Sequence, residues 1–322
     1  MKKNIYDLIN SKKITLTFLK DWTFITITGK DCLRYLQNQF TYNLYLLKQN
    51  QHVICAHCSI NGKVLSVFHL FMYDQGYAYI QKKSISKLQV NELKKYSIFS
   101  NINICQNRDT LLIGLIGACV NEKLSKILKN LPDKKSFNHQ EKNITVLKFH
   151  KPYDRFLIII KKNNSILKKI LKLTNEIYHN NIWLALNIMS GFPNINHITY
   201  KKFFPQSLNL EKLNALDLKK GCFYGQEMIA KVHFKKLNKY QLYWLIGNAY
   251  PKPKIGDNLI LKYNKNNYNC GSILSTVNIS NSKLWIQAIL KKNTNYKNNF
   301  VRIKNNINSF FYIKNSTYNI QS

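Results

Sequence analysis

One block of this chain stands out, Lys219-Lys220-Gly221-Cys222-Phe223-Tyr224-Gly225-Gln226-Glu227. It combines two lysines, a thiol, two glycines, an aromatic pair, an amide and a carboxylate, in a chain otherwise rich in lysine, asparagine and isoleucine. Neighbouring cations favour the thiolate form of a cysteine, and glycines permit positive φ and close approach of the backbone to a ligand. The plainer interpretation is a glycine-flanked turn that carries a structural cysteine.

The residues after the block predict a helix that begins near Gly225. Met228, Ile229 and Val232 have the spacing of one helical face. Cys222 would then precede a helix N-terminus, whose partial positive charge adds to that of the two lysines of the block. Both effects favour a thiolate.

We therefore predict that Cys222 is a functional nucleophile or redox thiol and that Lys220 tunes it. Gln226 and Glu227 are predicted either to bind polar edges of a ligand or to hold the loop. For Glu227, an ion pair with Lys231 four residues later would explain the residue equally well.

The net charge of +34, from 49 basic and 15 acidic residues, suggests a nucleic-acid partner. However, lysine, asparagine, isoleucine, tyrosine and phenylalanine share A/T-rich codons, so compositional bias accounts for the charge better than selection for RNA binding. Arginine, the better residue for bidentate phosphate recognition, occurs four times. The four arginines are Arg34, Arg108, Arg155 and Arg302. Weak, nonspecific attraction to RNA at low salt is expected in either case.

The location predicted for the chain is the cytoplasm, without a membrane span. No apolar run approaches the roughly 20 residues that a spanning helix needs, and the N-terminus has no apolar signal region. Seven cysteines form an odd set without a disulfide pattern and are predicted to be free thiols. They stand at positions 32, 55, 58, 105, 119, 222 and 270.

The segment 52–58, His-Val-Ile-Cys-Ala-His-Cys, has the residue types of a metal site. A structural zinc site would need a second ligand pair at comparable spacing, and the sequence has none. On a strand, Cys55 and Cys58 would point to opposite faces. We therefore predict structural cysteines here and no metal.

The pattern along the chain predicts three domains, at 1–110, 111–236 and 237–322, with an N-terminal strand that could pack with the second. A hairpin is expected at 53–58 and 64–73 around Asn61-Gly62, and Asp31 is expected to cap a helix through Leu36. Further helices are predicted for 164–176 and around 183–188. Short strands at 240–246, 259–263, 271–277 and 284–290 predict a small β-barrel or sandwich.

Residues 220–227 resemble the K-G-C-[Y/F]-x-G-Q-E signature of the YgfZ-type folate-binding proteins, relatives of the glycine-cleavage T-protein. Nearly the whole chain shares this resemblance. Other segments that agree in order and spacing are Asp21-Trp22, His57-Cys58, Glu92-Leu93-Lys94-Lys95-Tyr96, 183–193 and Phe204-Pro205-Gln206.

The resemblance implies an α+β fold in a T-protein-like three-domain arrangement, with two α/β domains around a folate channel and a small C-terminal β-barrel. It implies an accessory protein that binds tetrahydrofolate or a one-carbon derivative and supports the modification of some tRNAs. A monomer is expected because the sequence has no sustained heptad repeat and no long exposed apolar edge, although this leaves the oligomeric state open. The implied partners are iron–sulfur tRNA-modifying enzymes. Family folate contacts carry over onto Trp22 and Trp183, whose indoles suit the flat rings of folate, at about 0.5–1.5 kcal/mol beyond area burial.

One departure argues against the aminomethyl transfer of the T-protein branch. That branch needs a carboxylate shortly after the hairpin turn, and no carboxylate occurs here between Gly62 and Asp74. A classical turnover is therefore not expected. Two alternatives stay open, a folate-dependent one-carbon transferase and a direct tRNA-binding module.

Overall fold

The computed structural model describes residues 13–133, 138–141, 143–174, 177–178, 181–263, 266–280, 283–292, 294, 296 and 300–314. Within these residues the chain forms seventeen β-strands and six α-helices. The strands are β1 (Thr15–Phe18), β2 (Trp22–Thr28), β3 (His52–Cys58), β4 (Val64–Tyr73), β5 (Gly76–Lys82), β6 (Asn103–Asn107), β7 (Thr110–Ile116), β8 (Asn138–Glu141), β9 (Ile144–Phe149), β10 (Arg155–Lys161), β11 (Ile177–Tyr178), β12 (Tyr240–Asn248), β13 (Asn258–Tyr263), β14 (Asn266–Asn278), β15 (Leu284–Lys291), β16 (Val301–Ile303) and β17 (Asn306–Lys314). The helices are α1 (Cys32–Gln37), α2 (Lys83–Lys94), α3 (Val120–Ser125), α4 (Ile166–Leu171), α5 (Asn181–Met189) and α6 (Gln226–Phe234).

The first sheet is antiparallel with strand order β3-β4-β5-β2-β6. The predicted hairpin is confirmed as β3 and β4. Because successive side chains of a strand point to opposite faces, β4 contributes to two cores. Phe68 and Leu70 pack with α1 and α2, whereas Val67 and Phe71 lie in a central core shared with the second sheet.

The second sheet has the order β11-β1-β7-β10-β9-β8, with β1 and β11 parallel. The N-terminal strand β1 thus lies in the second sheet, beside β7. In β10, Phe156 and Ile158 face α3 and α4, while Leu157 and Ile159 face the central core. A strand covered on both faces is apolar along its whole length, which explains the run that follows Arg155.

Two helix predictions need correction. Asp31 precedes α1 as expected, but its side chain does not cap the helix, because Oδ2 accepts a hydrogen bond from the Asn101 backbone N–H at 2.7 Å. The helix predicted for 164–176 is only α4, and residues 175–176 lie outside the described residues. Ile170 is the buried residue of α4, so little packing is available to extend so short a helix.

The C-terminal strands close into a six-stranded barrel with the order β12-β15-β14-β13-β16-β17, which is one of the two forms that the strand spacing predicted and the one that the resemblance implied. The α+β class is likewise confirmed. Trp244 and Trp285 of the barrel join Trp22 and Trp183 in the central core, which therefore connects both sheets, α5 and the barrel. Among the described helices, none combines the length and the apolar character needed to cross a bilayer.

Candidate functional site

The Cys222 block forms a loop anchored to the segment that follows α1. The Lys220 ammonium donates to the backbone carbonyls of Phe40 at 2.6 Å and Tyr42 at 2.7 Å, and Gln37 Nε2 donates to the Lys220 carbonyl at 3.2 Å. Burial lowers the pKa of Lys220 to about 8. The ammonium is thus engaged by the segment that follows α1, and an influence of Lys220 on Cys222 stays a prediction.

Gly225 and Gln226 hold the other end of this loop. The predicted helix start is confirmed, because α6 begins directly after Gly225. Gly225 has φ +83°, and a Cβ there would stand 2.3 Å from the Ser59 carbonyl oxygen, so the loop can approach the hairpin turn only with glycine. Gln226 Nε2 donates to the Leu218 carbonyl at 3.1 Å, and Oε1 accepts from the Phe223 N–H at 3.3 Å. Gln226 therefore holds the loop, one of its two predicted roles.

The Cys222 thiol is solvent-exposed, which is the accessibility that a functional thiol needs. Glu227 is also exposed, and the ion pair with Lys231 that offered an alternative explanation is not formed among the described residues. Cys55 and Cys58 are fully buried and belong to two different cores, as expected for opposite faces of β3.

A cavity of about 340 Å³ opens between the two sheets, where β3 and β4 meet β9 and β10. Its volume lies within the usual range of small-molecule sites, about 300–1,000 Å³. None of its lining residues is acidic. They are Tyr42, His52, Val53, Ile54, His69, Lys148, Phe149, His150, Lys151, Arg155, Ser190, Phe192, Leu213 and Asn214. We call this space the basic cavity.

Aromatic rings form much of the wall of the basic cavity. His69 stacks on Phe192 with ring centroids 4.6 Å apart and an interplanar angle of 15°, and Phe149 meets His69 edge-on at 4.8 Å. The two predicted tryptophans stand directly behind this wall. Trp22 contacts Phe192 at 6.0 Å, and Trp183 contacts Phe149 at 5.5 Å.

Neither tryptophan lines the basic cavity itself. Trp183 is 2 % exposed, and its ring lies against Gly114, where a Cβ would approach Trp183 Cε3 to 2.7 Å. Trp22 is 6 % exposed and borders a different cavity of about 530 Å³, near Phe24 and Arg108. The structure thus brings the two indoles into one core but does not place them as the exposed faces of a shared pocket.

Sequence reasoning missed the most polar part of this cavity. Arg155 is fully buried, with its guanidinium 4.4 Å from the Trp183 ring and 5.2 Å from the Phe149 ring. Burial lowers the pKa of Arg155 to about 9 and that of His52 to about 4. A signal was present, because an arginine heads an apolar strand in a chain whose cations are nearly all lysine.

Tyr42 connects the basic cavity with the Cys222 loop. Tyr42 lines the cavity, and its carbonyl is one of the two acceptors of the Lys220 ammonium. The residue before Tyr42 is also bonded to the segment that leads into the Cys222 loop. Thr41 Oγ1 donates to the Ala215 carbonyl at 2.6 Å, and the Asp217 N–H donates to the Thr41 carbonyl at 2.9 Å. The loop that carries Cys222 therefore supports one wall of the cavity.

Comparison with known proteins places this architecture in a family. The model of the YgfZ β-barrel domain matches residues 238–306. A tRNA-modifying protein YgfZ of Buchnera aphidicola subsp. Baizongia pistaciae is 62 % identical over 308 residues, which cover 96 % of this chain and 97 % of that protein. The chain belongs to the YgfZ family.

More distant relatives also match over nearly the whole length of this chain. The tRNA-modifying protein YgfZ of Pectobacterium atrosepticum is 35 % identical over 308 residues, covering 95 % of this chain and 92 % of its own. Among solved structures, the glycine cleavage system aminomethyltransferase T of Bartonella henselae superposes with a TM-score of 0.77 over 98 % of this chain and 88 % of that chain, at 13 % identity. This YgfZ family member therefore has the T-protein-like fold expected from its sequence.

Proposed function

We propose that this protein binds a folate in the basic cavity and supports the modification of certain tRNAs, by maintaining iron–sulfur tRNA-modifying enzymes. The observation that carries the folate part is the cavity itself, about 340 Å³ in volume, walled by aromatic rings and lined by cations without a carboxylate. A folate brings flat aromatic rings and an anionic glutamate, which suit such a lining. The name of its relatives supports the tRNA part.

In this proposal the two tryptophans affect folate binding indirectly, because they pack behind the aromatic side chains that line the basic cavity. Trp22 holds Phe192, and Trp183 holds Phe149 and the Arg155 guanidinium. Replacing either indole with a smaller side chain would free the wall to shift. Cys222 is the functional thiol of the proposal, on the loop that braces Tyr42.

The test combines binding with complementation. Tetrahydrofolate binding to the purified protein is measured by calorimetry, and tRNA methylthiolation is measured in a Pectobacterium atrosepticum strain that lacks its own relative. The strain is complemented with wild type, Trp183→Leu, Cys222→Ser and the control Cys105→Ser, which removes another exposed thiol. We expect Trp183→Leu to weaken binding and Cys222→Ser to abolish restoration while binding persists. Full restoration by a folded Cys222→Ser protein would refute the thiol role.

A one-carbon transferase is the principal alternative. The residues of β4 on the side of the central core and cavity include Val67, His69 and Phe71, none of which is acidic. No carboxylate is therefore offered from this strand to activate the folate. Catalytic conversion of methylene-tetrahydrofolate by the purified protein would favour the transferase over the accessory protein.

A direct tRNA-binding module is the other alternative, and salt dependence decides it. Binding that rests only on many surface lysines collapses steeply as salt rises, because it is driven by counterion release. Affinity that survives physiological salt and discriminates among tRNAs would favour this alternative.

A further inference from the structure

The guanidinium of Arg155 is buried with donors left over. Its Nη2 donates to Asn187 Oδ1 at 3.0 Å, whereas Nε and Nη1 have no hydrogen-bond partner among the described residues. A guanidinium carries five N–H donors in one plane, and leaving such donors unpaired in the interior is costly. Arg155 also lines the basic cavity, so a ligand held there lies beside this guanidinium.

The rings around Arg155 do not replace those acceptors. Trp183 and Phe149 offer their faces to the cation at 4.4 and 5.2 Å. A cation–π contact stabilises the charge but accepts no in-plane hydrogen bond in the fork geometry of a guanidinium. Nε and Nη1 of Arg155 therefore still lack hydrogen-bond acceptors among the described residues.

The surrounding groups leave the positive charge uncompensated. Burial lowers the pKa of His52 to about 4 and that of His69 well below its ordinary value, so both rings are neutral near pH 7. The carboxylate next to Arg155 in the chain, Asp154, is half exposed and pairs with His150 at 2.7 Å and with Lys148 at 3.4 Å. The acidic residue nearest in sequence is thus already engaged by other cations.

We infer that the basic cavity binds a carboxylate of its ligand against the unpaired donors of Arg155, with the adjoining aromatic ring of the ligand against the wall formed by Phe149, His69 and Phe192. A carboxylate forms two parallel hydrogen bonds with a guanidinium, here with the second N–H of Nη2 and an N–H of either Nη1 or Nε, on the side that Asn187 leaves open. The inference rests on the proposed function, and for a folate it means that the aminobenzoyl-glutamate end lies at Arg155. The pterin is uncharged at neutral pH and does not neutralise the arginine.

Calorimetry with the two halves of a folate tests this orientation. The probes are p-aminobenzoyl-L-glutamate, 6-hydroxymethylpterin and tetrahydrofolate, titrated into the full-length protein. The variants are Arg155→Met, Arg155→Lys and the control Arg34→Met, which removes an exposed arginine from α1. We expect Arg155→Met to weaken p-aminobenzoyl-glutamate about thirtyfold or more, as truncation of a buried charge pair does. Pterin binding should change less than about threefold, and the control should leave both unchanged.

Arg155→Lys separates loss of the fork from loss of the fold. Lysine keeps the charge but not the bidentate geometry, so an intermediate loss is expected for the carboxylate probe alone. Without ligand, Arg155→Met should melt at or above the wild-type temperature, because replacing a buried charge by an apolar side chain is often stabilising. The rise in melting temperature that p-aminobenzoyl-glutamate produces in wild type should disappear in the Met variant.

The outcomes separate the inference from the proposed function. If tetrahydrofolate binds but the carboxylate probe is indifferent to Arg155, or the pterin probe loses as much, the inference is overturned and folate binding stands. If p-aminobenzoyl-glutamate binds through Arg155 while tetrahydrofolate does not bind, the inference stands and the folate proposal fails. If neither binds wild type, both are refuted.

Discussion

The buried ammonium of Lys220 should make the stability of this protein depend on pH in a way that one substitution removes. Desolvation lowers the pKa of Lys220 from 10.5 to about 8, against the opposing influence of Cys55 and Asp217. At about 1.4 kcal/mol per pH unit, this difference corresponds to roughly 3 kcal/mol between the two protonation states. Desolvation of the charge therefore outweighs the favourable influence of Cys55 and Asp217.

The direction in which the free energy of unfolding changes with pH follows from the number of protons bound in the folded and unfolded states. Between about pH 8 and 10.5 the unfolded chain still binds the Lys220 proton, whereas the folded chain has released it. The free energy of unfolding contributed by this group therefore rises with pH across that window. Below pH 8 both states are protonated, and the full penalty of the buried charge is present.

Lys220→Met isolates this contribution. Urea unfolding under reducing conditions, at pH 7.5, 8.5, 9.5 and 10.5, gives the free energy of unfolding of each protein. The wild-type value minus the Met value should rise by about 3 kcal/mol over this range. Lys219→Met is the matched control, because it removes an exposed lysine from the adjacent position. A rise below about 1 kcal/mol beyond the control would show that the pKa of Lys220 is not lowered in the folded protein, and the pH dependence argued from its burial would be wrong.

Three further predictions concern the core, the histidines and the thiols. Gly114→Ala places a methyl 2.7 Å from Trp183 Cε3, so it should lower the free energy of unfolding by about 1–3 kcal/mol and weaken folate binding. An unchanged free energy of unfolding and an unchanged folate affinity would mean that the indole is loosely held. Burial lowers the pKa of His57 to about 3, so protonation of the unfolded chain should reduce stability below pH 6.5, by about 1.4 kcal/mol per pH unit. His57→Gln should therefore move the acid-unfolding midpoint to lower pH, and a midpoint that stays in place would contradict the burial of the ring. Iodoacetamide followed by mass spectrometry should label Cys222 in the native protein and Cys58 only after unfolding, because burial removes Cys58 from solvent and raises its pKa; early labelling of Cys58 would refute its place in the core.

The strands were predictable because their signal is local. Alternation of side chains, with a turn at Asn61-Gly62, is enough to define β3 and β4 from a short segment. The helix ends were less predictable because distant groups compete for the capping side chain. Asp31 has the right position for a cap, but the Asn101 N–H, seventy residues later, takes its carboxylate. Sequence spacing does not contain that contact.

The candidate site divides in the same way. The signature block predicted that Cys222 precedes a helix and that Gln226 could hold the loop, and in the structure Gln226 is the first residue of α6 and donates back to the Leu218 carbonyl. The partners of Lys220 lie about 180 residues earlier in the chain, so its engagement with Phe40 and Tyr42 could not be obtained from neighbours in sequence. The tryptophans were identified by resemblance alone, which indicates importance without saying whether an indole touches a ligand or supports the residues that do.

Charge shows most clearly why composition and structure answer different questions. The +34 of this chain arises largely from lysines, and exposed charges farther apart than about 8 Å are screened at physiological salt. Arg155 is buried, so its field is screened much less and its donors cannot be satisfied by bulk water. One desolvated guanidinium can therefore select a carboxylate where dozens of surface lysines provide only general attraction. In the proposed complex, specificity for the ligand carboxylate follows from the placement of Arg155 rather than from the number of cations.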